Sequence, residues 1–434
     1  MKSQSCLRTK LNRNRLTSDQ DIQLGKMIRE FTEEDSGNQA LLGLRVLEMG
    51  DCEGEYCGKL LADLGAEVIK LESPDGSRCR REPPFRNGVA GPDQSLHFLY
   101  FNTNKKGITL DLRNADGREI FRKLIPSVDV VLETFAPGHM EELGLGCNQT
   151  SELNPSLIVA SITCFGQRGP YRNYQGSDLV AFAMGGLMYV SGSPAGPPVT
   201  APEKQAYLAG STYAAFAILV ALWNRLDTGL GQHIEVSLMD CLAAMENLVS
   251  GKKDNGDYPR RSGSQHRFAA PGTIYPCKDG FVHIFVSNSQ VGSWQRFFEW
   301  LGNPIELAGP DWEEPIYRRR HVERIDQVVT RHLKNLSKRE IYGQLQGRHV
   351  PCAPVNSPAD FVNDRQTQMR EFIVDIPHPV WGQLRFPGAP YKMSGSPWRY
   401  KMAAPSIGEY NNEIYTKLGF SQEDILALFA SHVI

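Results

Sequence analysis

At 434 residues the chain is too long for one compact core and suits two domains. With 41% hydrophobic residues, 22% charged residues and a formal net charge of -2, its composition is that of an ordinary globular protein. That balance gives no electrostatic reason to expect nucleic acid or an anionic membrane as partner, so any anion site must be local. The cysteines are scattered, at Cys6, Cys52, Cys57, Cys79, Cys147, Cys164, Cys241, Cys277 and Cys352, with no CxxC pair and no HExxH run. No metal site is expected, and reduced thiols in a cytoplasmic protein are the plain reading.

Residues 1–40 stand apart as a polar segment, with Lys2, Arg8, Lys10, Arg13 and Arg15 ahead of the first acid, Asp19. They lack an apolar secretory core, so a disordered leader is expected; the basic, acid-free start also fits a mitochondrial presequence. Leu44–Gly50 reads as a buried strand closed by a glycine-rich turn, and Tyr56–Gly65 has helical spacing with Leu60, Leu61 and Leu64 on one face. Ala66–Glu72 is the next strand. The alternation continues with strand Gly107–Leu112, helix Asp116–Ile125, strand Asp129–Glu133 and strand Leu157–Thr163. Short apolar strands alternating with helices predict a parallel sheet covered on both faces, with ligands at the carboxyl ends of its strands. The first turn, Gly50-Asp51-Cys52-Glu53-Gly54, does not fit GxGxxG, and Gly54 to Lys59 is one residue short of a P-loop. Asp51 and Glu53 would also repel a pyrophosphate, so neither NAD nor ATP is expected.

A long helix is predicted at Tyr207–Leu226. Its apolar stretch, interrupted by Gly210, Ser211 and Thr212, reads as a buried helix and not as a membrane span. The turn Asp227–Gly231 and the strand His233–Ser237 follow. Beyond residue 250 the texture changes: Gly251–Gly263 is charged and glycine-rich like a linker, and Thr273–Pro276 with Phe281–Val286 reads as a hairpin. A charged helix is expected over Glu323–Asn335, and Pro351–Pro390 is proline-rich and expected to be extended. The fold class is therefore α/β, with a Rossmann-like parallel-sheet large domain begun by residues 41–250. A smaller α+β domain takes residues 251–355, and 356–434 return to the large domain.

Five segments, in order, carry a family resemblance. They are Leu61–Glu72 (LADLGAEVIKLE), Asn104–Leu112 (NKKGITLDL), Phe165–Pro170 (FGQRGP), Thr228–Gln232 (TGLGQ) and Ala404–Glu409 (APSIGE). Together they resemble the class III CoA-transferases of the CaiB/BaiF family, over about residues 40–434. The resemblance implies two interlocked subunits and transfer of coenzyme A between an acyl-CoA and a carboxylic acid. The CoA thioester is a substrate, and no cofactor is implied. The family's nucleophile is an aspartate, ionised at neutral pH, whose acyl anhydride keeps the acyl group activated; glycine amides stabilise the oxyanions.

That aspartate lies four residues before a glycine at the start of the long helix. Here Ala206 stands at that position ahead of Gly210, and Glu203 is the nearest carboxylate, three residues early. An Ala206→Asp change at a partly exposed position would cost no more than about 1 kcal/mol. The Gly-His-Asp motif of the related α-methylacyl-CoA racemases is Gly176-Ser177-Asp178 here, so racemase chemistry lacks both of its groups. The resemblance implies CoA contacts from Leu110, Asp111, Leu112 and Arg113, from Thr134, Phe135 and Ala136, and from Gln175, Gly176, Ser177 and Asp178. Asp111 and Arg113 also read as solvated strand-end charges, and Asp178 as a helix N-cap. Ser73 and Glu142 replace common phosphate-binding arginines; Arg78, Arg80 and Arg81 are either their substitutes or a solvated loop. Gln265, His266 and the residues to Gly272 match a flap over the acyl group, with His266 read as structural. The chain resembles a subunit of aryl-succinate-type CoA-transferases, either a homodimer or paired with an Asp-bearing homologue; the alternative is a non-catalytic CoA-binding or structural partner of such a homologue.

Overall fold

The computed structural model describes residues 38–245, 259–266, 268–286 and 290–434. The leader reading of residues 1–37 and most of the predicted linker, residues 251–258, lie outside the described residues.

Strand β1 (Arg45–Met49) carries Val46, Leu47 and Met49, all buried, and pairs in parallel with β2 (Glu67–Glu72) through Leu47 opposite Ile69. Between them α1 (Glu55–Asp63) crosses over, placing Cys57, Leu61 and Ala62 in the interior. Strand β3 (Lys105–Thr109) pairs with β2 and forms one sheet edge; helix α2 (Ala115–Leu124) buries Ile120, Phe121 and Leu124 beneath it. Strands β4 (Val130–Glu133) and β5 (Ile158–Thr163) are buried at every residue, as befits inner strands of a parallel sheet. After α3 (Asp178–Met184) and the 24-residue α4 (Gln205–Thr228), β6 (His233–Ser237) completes a six-stranded sheet of order β3-β2-β1-β4-β5-β6. The strand order reverses between β1 and β4, the switch point where sheets of this type leave a crevice for ligands. The predicted parallel sheet is observed, although its edge strand ends at Thr109 and not at Leu112.

By length and composition α4 is long and apolar enough to cross a membrane, yet half of its most apolar 18-residue stretch is buried within the chain.

Several strand residues carry buried charge. Lys105 Nζ lies 2.7 Å from Glu48, and Lys70 Nζ contacts Glu48 at 3.2 Å and Glu55 at 3.1 Å, with all four side chains essentially inaccessible. Burial disfavours the ammonium of Lys70, but the carboxylates of Glu55, Glu48 and Glu72 outweigh it and hold its pKa above the usual value. These pairs stitch α1 and the first three strands together.

The chain divides into two compact units. One comprises the chain through Ile162, Ser211–Glu235 and Tyr391–Ile434; the other comprises Thr163–Gly210 and Val236–Pro390. In the first, the C-terminal segment packs on β3: Lys106 pairs with Glu413 at 2.7 Å, Asn411 accepts from the Thr109 amide, and the Tyr415 hydroxyl donates to the Thr109 carbonyl. In the second, β7 (Gly272–Cys277), β8 (Gly280–Phe285) and β9 (Cys352–Pro354) form an antiparallel sheet. It shares a core of Tyr275, Val282, Ile284, Phe297 and Val329 with α5 (Ser293–Trp300) and α6 (Val322–Leu333). The proline-rich stretch is not simply extended. It holds two short helices, Pro358–Asn363 and Arg365–Met369, and the hairpin β10 (Ile373–His378) with β11 (Gly382–Pro387). Pro377 and Pro387 sit within this two-stranded ribbon, where each strand has only one neighbour and a missing amide is tolerated.

Candidate functional site

At the switch point β1 runs into the turn Gly50–Gly54. Gly50 has φ +94°, and a Cβ there would lie 2.2 Å from Thr134 Oγ1, so only glycine allows the approach. The Asp51 amide then donates to Thr134 Oγ1 at 2.8 Å. The Arg78 amide donates to Asp51 Oδ1, and its guanidinium reaches Glu53 at 3.2 Å. The Ser211 hydroxyl, early in α4, donates to the Glu53 carbonyl at 2.8 Å. Thr134, the first of the three residues predicted to contact CoA here, is thus held against the turn that follows β1.

Glu133 ends β4 directly beneath this loop and accepts from the Phe135 amide at 2.7 Å. Ser161, its neighbour across β5, lies 2.9 Å from His233 Nε2. Burial pushes the Glu133 carboxyl up to about 7, against the opposing hydrogen bonds from Ser161 and Phe135. A carboxyl with a raised folded-state pKa favours the fold when protonated. Its contribution is complete below the unfolded value near 4.5 and is lost as pH rises through about 7. Glu133→Gln keeps an acceptor for Phe135 but cannot ionise. Its stability relative to wild type should therefore rise from pH 5 to pH 8.5 in urea unfolding; a gap independent of pH would mean that Glu133 stays ionised throughout. The acid at the end of an otherwise apolar strand was the sequence signal for this residue.

Leu110–Arg113 follow β3 at its carboxyl end. Leu110 and Leu112 point into the core, the Asp111 amide donates to the Val433 carbonyl, and Asp111 pairs with Arg113 at 2.8 Å. The hydrogen bond from Arg113 holds the Asp111 carboxyl below the usual range, the behaviour of a solvated strand-end pair. Arg80 is neither a phosphate ligand nor part of a solvated loop. Its side chain is 1% exposed, bound to Glu72 at 2.7 Å, to Asp93 at 2.8 Å and to the Pro405 carbonyl, and it stacks 3.8 Å from the Phe98 ring centre. Arg81 donates to the Asp75 carbonyl, and the Ser73 hydroxyl to that of Gly76.

The second unit holds the remaining predicted residues. Gly176 lies so close to Cys164 that a Cβ there would sit 2.2 Å from the Cys164 Cβ. Ser177 caps α3 by accepting from the Val180 amide. Asp178 caps another helix: its Oδ1 accepts from the amides of Ala206 at 2.7 Å and Tyr207 at 3.2 Å, at the head of α4. Burial raises the Asp178 pKa, while these two amides oppose the rise. The Ala206 methyl is fully buried, contrary to the partial exposure assumed above. Glu203 is exposed, in left-handed backbone at φ +63°. His266 donates its amide to the Gly272 carbonyl, and its ring meets Phe285 edge-on at 4.7 Å, a packing role. A concavity of about 740 Å³ against α6, lined by Asp326, Thr330, Arg331 and Lys334 among others, contains none of the predicted residues.

Two of the nine cysteines are not free thiols. Cys52, in the turn after β1, is disulfide-bonded to Cys79. Glu55 lies within 4.8 Å of both sulfurs, forming a group with metal-ligand character among the described residues. Its carboxylate is already engaged by Lys70 and by Asn102 at 2.9 Å, and the sulfurs by each other.

Residues 41–411 match the family model described as CoA-transferase family III. The chain is 33% identical over 391 residues to the succinyl-CoA:(R)-benzylsuccinate CoA-transferase subunit BbsE of Thauera aromatica, covering 88% of this chain and 95% of that one. It is 32% identical over 416 residues to the formyl-CoA:oxalate CoA-transferase of Streptomyces coelicolor, covering 91% and 99%. A crystal structure of a CaiB/BaiF family protein from Brucella suis superposes with a TM-score of 0.79 at 30% identity, covering 88% of this chain and all of that one. A Rossmann-type sheet with a glycine-hinged turn at its switch point, and a match across nearly the whole described chain, agree on one assignment: the protein belongs to CoA-transferase family III, the class III or CaiB/BaiF enzymes.

Proposed function

We propose that this chain holds CoA in a transferase that moves it between an acyl-CoA and a carboxylic acid, and that the nucleophilic aspartate comes from a homologous partner chain. The observation that carries this is the head of α4. There the position matched to the family's nucleophile is a buried alanine, and the carboxylate at its amide, Asp178, is already accepting two backbone hydrogen bonds. Glu203 faces solvent from a strained backbone and is a poor substitute. The CoA contacts assigned to this chain are the loop Thr134–Ala136, the strand end Leu110–Arg113 and the segment Gln175–Asp178. A pairing with another chain is supported by α4, which leaves Phe216, Val220, Trp223 and Leu226 exposed at helical spacing. It is supported also by the Thauera relative, which is itself named as a subunit. Interlocked pairing and a cytoplasmic location complete the proposal.

Titration calorimetry of the purified chain with a CoA thioester tests the binding half of this reading. Saturable binding is expected, weakened by Thr134→Val, which keeps the packing against the turn after β1 but removes the acceptor of the Asp51 amide. A chain that binds no CoA thioester would leave only a structural role.

A further inference from the structure

The turn after β1 is tied to its surroundings by hydrogen bonds and by one covalent link. Its sulfur, Cys52, is joined to Cys79 in the 3-10 helix Arg78–Arg81, with Cα atoms 5.6 Å apart, within the usual span of a disulfide. The two ends differ in access: Cys79 is fully buried, whereas Cys52 is partly exposed on the turn. The same turn donates the Asp51 amide to Thr134, and its Glu53 carbonyl receives the Ser211 hydroxyl. Its acids, Asp51 and Glu53, face Arg78, the residue next to Cys79. Breaking the disulfide therefore releases a covalent restraint on the turn against which Thr134 rests.

We propose that Cys52–Cys79 is a thiol-exchange site at which a low-molecular-weight thiol is taken up on Cys52, loosening the turn after β1. A thiolate attacks Cys52 Sγ, the reachable sulfur; a new S–S bond forms, the Cys52–Cys79 bond breaks, and Cys79 leaves with the electron pair and takes a proton from water. A second thiol then attacks the mixed disulfide, releasing the symmetrical small-molecule disulfide and the Cys52 thiol. The net change is one protein disulfide and two thiols giving one protein dithiol and one small-molecule disulfide. Disulfides in reducing compartments serve in this reversible way more often than as permanent staples. Coenzyme A is a thiol of this class. Its arrival at this turn rests on the proposed function, whereas the exchange chemistry does not.

The test uses the full chain as purified. Samples are incubated with coenzyme A, with glutathione, or with neither, then alkylated with iodoacetamide and mapped by mass spectrometry. The untreated sample is expected to keep Cys52 and Cys79 unalkylated. Thiol treatment is expected to leave the alkyl group on Cys79 and, on Cys52, the small thiol before the second exchange and the alkyl group after it. A larger yield with coenzyme A identifies the coenzyme as the delivered thiol; equal yields identify a general exchange site. CoA binding measured on the same preparations is expected to weaken severalfold after complete reduction. Full alkylation of both cysteines without thiol, or a disulfide that survives both thiols, overturns the proposal, as does an unchanged CoA affinity after reduction. Exchange with glutathione in a chain that binds no CoA would instead sink the proposed function and leave the exchange site standing.

Discussion

Arg80→Met is expected to destabilise the chain by about 3–5 kcal/mol, the usual cost of leaving one partner of a buried ion pair uncompensated. The guanidinium is almost wholly inaccessible and meets Glu72 through both Nε and Nη2, with further bonds to Asp93 and Pro405. Removing it strands the Glu72 carboxylate in the interior with the Ser77 amide and Lys70. Burial alone would raise the Glu72 pKa, but the hydrogen bonds from Arg80 and the charge of Lys70 overcome it and hold the carboxyl below the usual value. A depressed carboxyl stabilises the wild type above its unfolded pKa and ceases to do so as pH falls through the folded one. The gap between wild type and Arg80→Met should accordingly be largest near pH 7 and shrink toward pH 4, where the stranded Glu72 can take a proton. Urea unfolding at the two pH values reads this directly, and adding Glu72→Gln should return part of the loss. An undiminished unfolding midpoint with weaker CoA binding would return Arg80 to the role of phosphate ligand.

Ala206→Asp is expected to cost about 2–4 kcal/mol, well above what the sequence suggests for a partly exposed helix start. The helix dipole and unpaired amides do favour an anion there, but Asp178 already occupies them, with Oδ1 2.7 Å from the Ala206 nitrogen. A second carboxylate in the space of a buried methyl meets a like charge, so one of the two must take up a proton or the helix start must shift. Asp178→Asn retains the acceptor and removes the repulsion. The double variant should therefore lose less than the sum of the singles, with a coupling of about 0.5–3 kcal/mol in a double-mutant cycle. Strict additivity would show that the two side chains do not meet at the head of α4.

The parallel sheet was legible because β1, β2, β4 and β5 are short apolar runs whose burial is nearly complete, and the helices between them show the expected spacing. The edge strand was misplaced by a few residues. The predicted strand began at Gly107, whereas Lys105 already belongs to it and points inward to Glu48; no periodicity rule anticipates a buried lysine. The same blindness applies to Arg80, whose neighbours Arg78 and Arg81 made a loop of like charges: only the three-dimensional approach of Glu72 and Phe98 takes it inside. Proline content suggested extension over residues 351–390. Serines at the starts of short helices, such as Ser357 with Asp360, were the cap signals that argued otherwise. The resemblance named Thr134–Ala136 and Gln175–Asp178 as expected CoA contacts but said nothing of the hydrogen bonds they make within the chain. That Asp178 caps α4 and not its own helix depends on a contact 28 residues away in sequence. The Cys52–Cys79 pairing, across 27 residues, is equally silent in spacing alone.

The central claim is that this chain binds CoA thioester but carries no working nucleophile. It is tested most directly by incubating the purified chain alone with an acyl-CoA donor and neutral hydroxylamine, then mapping hydroxamates by mass spectrometry. Loss of a covalent nucleophile costs roughly six orders of magnitude in the best-studied case, so no carboxylate of this chain should be converted and CoA release should stay at the uncatalysed level. Conversion should appear only on the aspartate of a homologous partner when the two chains are combined. A hydroxamate on Glu203 or Asp178 of the isolated chain, with steady release of CoA, would contradict the account.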